Sequence, residues 1–214
     1  MNAILINRVL APWILGSLLS IIPCGATQAE PPTPWVSLID SDLSQWKTTG
    51  NWSVDDDNVL HLEAVKRGFS LFPDVKSYLW LRNPQGDFEL RLQYRIETDG
   101  KSGVFIRAAS MSRYLEIQIA DSSQRKPPLV DTDAGGLVGH FPPMVNAARP
   151  TGQWNDMLIR ADGPSLTITL NDKVVLNVQA EELPSLETLP RGGIALQDQS
   201  HPVSFRNVQI RSLP

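Results

Sequence analysis

Apolar and polar residues alternate with a period of two along most of the chain, the pattern of strands that bury one face. The clearest run is FELRLQYRI at 88–96. Phe88, Leu90, Leu92, Tyr94 and Ile96 share one side, and Glu89, Arg91, Gln93 and Arg95 share the other. YLEIQIAD at 114–121 does the same, with Leu115, Ile117 and Ile119 opposite Glu116 and Gln118. Further strands are predicted over 35–39, 51–54, 59–64, 78–81, 103–107, 154–161, 166–170, 173–178, 194–197 and 203–210. Turn chemistry separates them: Asp55-Asp56-Asp57-Asn58, Asn83-Pro84-Gln85-Gly86 and Asn171-Asp172. The best helical stretch is 180–183, and Pro184 is expected to cut it short.

Short strands at this spacing, with 17 Pro and 14 Gly in 214 residues, predict an all-β sandwich of two antiparallel sheets. No internal repeat or linker divides it, so residues 30–214 are read as one domain. One segment breaks the rhythm. Residues 121–153 contain five prolines and little periodicity. A loop of that length inside a compact domain points to function. Leu137, Val138 and Phe141 predict that it packs back over one sheet face to form a pocket.

Residues 1–29 read as a signal peptide: Arg8, then an apolar run, then Thr27-Gln28-Ala29 with small residues at the cleavage positions. The run is too short for a membrane span, so the mature form is expected to have no transmembrane segment and to be secreted or periplasmic. The competing reading is lipoprotein anchoring at Cys24, where Pro23 stands in place of the small residue a lipobox needs. Cys24 is the single cysteine, so the mature chain has no disulfide. The formal charge of −4 becomes −5 once Arg8 leaves with the leader. An acidic chain with no basic run argues against a nucleic-acid partner.

Several segments, in order, resemble the 3-keto-disaccharide hydrolase domain family. They are GDFEL (86–90), SGVFIRA (102–108), YLEIQIAD (114–121), AGGLVG (134–139), GQWN (152–155), LND (170–172), GGIALQD (192–198) and FRNVQI (205–210). The resemblance spans nearly all of residues 35–213. It implies a concanavalin A-like jelly roll with a concave sugar-binding face, and cleavage of 3-keto-glycosides by elimination or net hydrolysis. The sequence departs from the family pattern at Lys101, Val138 and Asp172. The sharpest departure is LQDQS near the end, where the family carries LQDHG. Gln199 stands in the place of the histidine, and Gln cannot titrate.

Elimination from a 3-keto sugar needs a base for the C2 proton, a positive or hydrogen-bonding group at the enolate oxygen and help for the leaving oxygen. Glu116, on the polar face of a strand expected to be central, is the candidate base or metal ligand. Arg107 is the candidate cation, or else the partner of Glu116 in a structural ion pair. Gln118, Asp121, Gln197 and Arg206 are candidate sugar contacts, the last two expected to converge from the final two strands. Trp80 is a candidate stacking platform. His140 in the long loop, or His61, is a candidate to replace the missing histidine. Asp131-x-Asp133-x-Gly135 resembles part of a calcium loop, so a divalent metal ion is an expected cofactor of unknown identity. A non-catalytic carbohydrate-binding module of the same fold is the alternative function.

Overall fold

The computed structural model describes residues 33–63, 77–110 and 112–214. The leader and Cys24 lie outside the described residues. The described residues form two packed antiparallel sheets, as the alternation predicts, and one short helix.

The larger sheet takes the strands in the order β11 (Lys173–Gln179), β10 (Ser165–Leu170), β9 (Asn155–Asp162), β6 (Phe88–Ile96), β13 (Val203–Ser212), β4 (Leu60–Leu62) and β3 (Trp52–Val54). A further strand, β1 (Val36–Ser37), also pairs with β13. The smaller sheet runs β2 (Trp46–Lys47), β5 (Leu79–Leu81), β12 (Gly193–Leu196), β7 (Lys101–Ser110) and β8 (Arg113–Ala120). Leu90, Leu92, Ile159, Ile168 and Phe205 of the larger sheet face Leu79, Val104, Ile106, Ile117 and Leu196 of the smaller one across a single core. Each such side chain contributes about 1.5–3 kcal/mol by leaving water. That gradient fixes strand register, because a slip of one residue would turn a whole face outward.

Three expectations change. The helix, α1 (Ser185–Thr188), begins after Pro184 instead of ending before it. Proline lacks an N–H, but the first turn of a helix has no partner for one, so Pro184 starts the helix. Second, β8 is the last strand of its sheet, not a central one.

Third, the long loop does not fold over a sheet face. It runs along the free edge of β8, where Gln118 N donates to Gly136 O, Gly135 N to Gln118 O and Val138 N to Glu116 O, each at 2.9 Å. It then reaches the edge of the larger sheet, where Met144 N donates to Val175 O at 2.7 Å. Leu137 is fully buried and belongs to the main core. The loop therefore closes one side of the sandwich and removes two exposed strand edges.

Tyr94 of β6 is fully buried, and its hydroxyl has no hydrogen-bond partner among the described residues. A buried donor left unpaired costs about 1–3 kcal/mol. Tyr94→Phe removes it with little change of shape. The expected outcome is a gain of about 1 kcal/mol, or roughly 2–4 °C in melting temperature, read by thermal denaturation.

Candidate functional site

Each strand of the smaller sheet gives its aliphatic residues to the core, so the intervening side chains stand on the sheet's other face. Pairing sets them in rows. Trp80 lies opposite Ala195, Ala195 opposite Phe105, and Phe105 opposite Glu116. In the next row Gly103 lies opposite Gln118, and Gln197 N donates to Gly103 O. The same period of two that places Glu116 outward thus brings Tyr78, Trp80, Phe105 and Tyr114 beside it. Tyr114 stacks on Phe105 at 4.3 Å between ring centres and 8°, and Trp80 meets Phe105 edge-on at 6.3 Å and 82°. Tyr78 also meets Phe105 edge-on at 5.4 Å.

Glu116 is 7% exposed among these rings. Burial pushes its carboxyl up to about 7, and a side-chain hydrogen bond with Gln197 opposes the rise. No cation pairs with it among the described residues. Gly103 makes the niche it occupies, since a Cβ there would lie 2.9 Å from both Glu116 Oε1 and Gln197 Oε1. Gln197 is itself held in a chain: its Nε2 donates to the Tyr78 hydroxyl at 3.2 Å, and its Oε1 accepts from Gln199 Nε2. Burial, with the charge of Glu116, also pushes the phenols of Tyr78 and Tyr114 up.

Of the residues predicted from sequence, Glu116, Gln118, Gln197 and Trp80 share this face. Gln118 is committed to the fold, because its Nε2 donates to Ser102 O and Ile119 O, both at 2.8 Å. Arg107 is not at the site, which corrects both readings of it. A bulge between Ile106 and Ser110 breaks the alternation there, and Arg107 takes φ 48°. Its fully buried guanidinium donates to Asp87 Oδ1 at 2.9 Å, Leu186 O at 2.9 Å and Gly163 O at 3.0 Å.

Arg206 is also elsewhere. The last two strands enter different sheets, and Arg206 stacks on Trp154 at 4.2 Å on the outer face of the larger one. Asp121 Oδ2 accepts from Asp99 N at 3.2 Å, a turn contact at the end of the β6–β7 connection. His140 is exposed, and its ring meets that of Phe141 at 6.5 Å. His61 lies on the larger sheet between Asp55 and Ser204.

Asp131 and Asp133 hold their own loop. Asp131 accepts from Gly139 N at 2.6 Å, and Asp133 accepts from Val130 N at 2.8 Å and Arg125 Nε at 3.1 Å. No group of three or more His, Cys, Asp or Glu side chains is gathered for a metal among the described residues. Around Glu116 the described residues supply its carboxylate and the amides of Gln118, Gln197 and Gln199, all engaged with protein, with Asp198 near Tyr78, a set short of the oxygen ligands a divalent ion needs.

Sequence reasoning missed Tyr78, Gly103, Phe105 and Tyr114. The signal was there: each is two, or a multiple of two, residues from a position already assigned to the outward face, or lies opposite one.

The sequence model of the 3-keto-alpha-glucoside-1,2-lyase-like domain matches residues 34–211. The chain belongs to that family. Among solved structures, this lyase-like domain is similar to two candidate glycosyl hydrolases from Parabacteroides distasonis. One has TM-score 0.70 and 23% identity over 84% of this chain and 100% of that one; the other has TM-score 0.61 and 25% identity over 84% of each. It is also similar to the carbohydrate-binding module CBM66 from Bacillus subtilis, with TM-score 0.52 and 15% identity over 78% of this chain and 96% of that one. These likenesses bear out the two-sheet jelly roll. No curated protein matches. Among the described residues no helix is long and apolar enough to cross a membrane.

The elevated Glu116 carboxyl has a consequence for stability. Between the ordinary value of 4.5 and about 7 the folded domain keeps a proton that the unfolded chain has released. Stability therefore falls as pH rises through that window, and the full cost is present above about 7. Glu116→Gln is expected to stabilise the domain at pH 8 by about 3 kcal/mol and to add nothing at pH 4. Denaturant unfolding at both values checks this, and an equal gain at both would contradict the assignment.

Proposed function

We propose that the aromatic face of the smaller sheet binds a 3-keto-glycoside and that Glu116 takes the C2 proton. The observation that carries this reading is a carboxylate placed among four aromatic rings with no cation beside it among the described residues. Burial raises its proton affinity into the neutral range, where a general base is most useful. Membership of a family described by 1,2-elimination at 3-keto-α-glucosides agrees with it.

The 3-carbonyl acidifies the hydrogen at C2. Glu116 removes that proton, and the electron pair moves to form the C1–C2 double bond as the bond from C1 to the glycosidic oxygen breaks. The products are an enone sugar and an alcohol. The proton on Glu116 returns to the leaving oxygen or to water. Tyr114 and Trp80, both half-buried, offer rings for the apolar face of a sugar, and Phe105 beneath them fixes their places. The Tyr78 hydroxyl, whose oxygen accepts from Gln197, keeps its own proton for an oxygen of the substrate. Arg107 has no part in these steps.

One observation favours a second reading, a carbohydrate-binding module without turnover. Gln199 reaches the site through Gln197 and cannot carry a proton, so Glu116 is left as the group there that titrates near neutrality.

The test is incubation of the purified protein with 3-keto disaccharides, following enone absorbance and released sugar. The expected rate rises with pH to a plateau above about 7, and Glu116→Gln lowers it by about 10²–10⁴-fold. Saturable binding with no enone at any pH would establish the binding module instead.

A further inference from the structure

We propose that the outer face of the larger sheet is a second binding site, which takes a linear anionic polysaccharide carrying a carboxylate or sulfate on successive sugars. The chain as a whole is acidic, with formal charge −4, yet this face is cationic. The carboxylates at its centre are already paired: Glu89 with Arg160 and Arg211, Asp162 with Arg160, and Asp156 with Arg149, while Asp57, Glu63 and Glu97 stand at its margins. Three guanidiniums remain without a carboxylate partner among the described residues. Arg91 spends its Nε on Gln209 Oε1 at 2.7 Å, and Arg206 spends its Nε on Gln93 Oε1 at 2.7 Å. Arg95 makes no hydrogen bond among the described residues and rests on Trp154 at 4.8 Å. The outer Nη edges of all three are left to receive an anion bidentately.

Their spacing selects the shape of the ligand. Arg91 and Arg95 lie on β6, and Arg206 lies opposite Gln93 between them. The cations therefore occupy successive outward rows, about 7 Å apart along the strand. A trough of about 460 Å³ runs beside Arg91, with Trp35, Gln93, Asn207 and Gln209 in its lining and Asp156, already paired with Arg149, at one side; Arg206 and Arg95 face separate hollows further along the sheet. Trp35 and Trp154 each already stack two guanidiniums, which favours recognition by charge over stacking of a flat base. A repeating anionic glycan fits that demand better than a nucleic acid. This proposal does not rest on the Glu116 reading, since the two sites lie on opposite sheets.

Binding of an oligogalacturonate is measured by calorimetry at two salt concentrations, beside a neutral cello-oligosaccharide and a single-stranded oligonucleotide of similar length. The expected result is selective oligogalacturonate binding that weakens with salt. Arg91→Gln, at an exposed position, and Arg206→Gln should each weaken it about tenfold, while Glu116→Gln leaves it unchanged. Thermal melts confirm that each variant is folded, and Arg91→Gln carries the test if Arg206→Gln is not. No oligogalacturonate binding, equal binding of the neutral sugar, tighter binding of the oligonucleotide, or full affinity in folded Arg91→Gln would overturn the proposal.

Discussion

The carboxyl of Glu116 is held out of water with no cation to compensate it among the described residues, and the smaller sheet has to hold it there. A carboxylate buried among rings is unfavourable in its charged form. The fold tolerates it because the strand beneath is fixed by other forces. Leu115, Ile117 and Ile119 bury in the core, and the edge of β8 is pinned by residues 135–138. With both held, Glu116 has one direction in which to point. Gly103 supplies the room and Gln197 a single hydrogen bond, enough to hold the group without lowering its proton affinity to the ordinary range.

Wherever the alternation is unbroken, the sequence could be read almost residue by residue. Phe88–Ile96 is one strand as expected, and the outward placing of Glu116 and Gln118 follows from Leu115, Ile117 and Ile119. The failures fall where the alternation stops. Arg107 looks outward by counting from Gly103, but the bulge beneath it turns it into the protein, where three acceptors surround it. Arg206 and Gln197 lie near each other in sequence and were expected to meet. Strand order decides otherwise, and a local pattern carries no record of which sheet a strand joins. Pro184 failed for a different reason: the residue that ends one helix can begin another.

The long loop shows a related limit. Its apolar residues were recognised, but its partners were not, because edge pairing uses backbone groups that every residue carries. What identifies the arrangement is Gly135, with φ 83° and a position whose Cβ would lie 2.7 Å from Val175 Cγ2. That approach to the larger sheet cannot be inferred from one glycine in a sequence with 14.

The two sheets therefore separate two kinds of chemistry on one small scaffold. On the smaller sheet the neighbours of Glu116 among the described residues are neutral, so its charge state is set by burial and answers to pH. On the larger sheet the charges are many, partly exposed and mutually paired, so their effect there is additive and answers to salt. Gln199 belongs with the first kind. A histidine in its place would add a second titrating group to the chain through Gln197. With an amide there, that chain can orient Glu116 but cannot exchange a proton with it. Among the described residues the buried carboxylate of this face is that of Glu116, and its proton affinity and its cost to stability have the same cause, its removal from water.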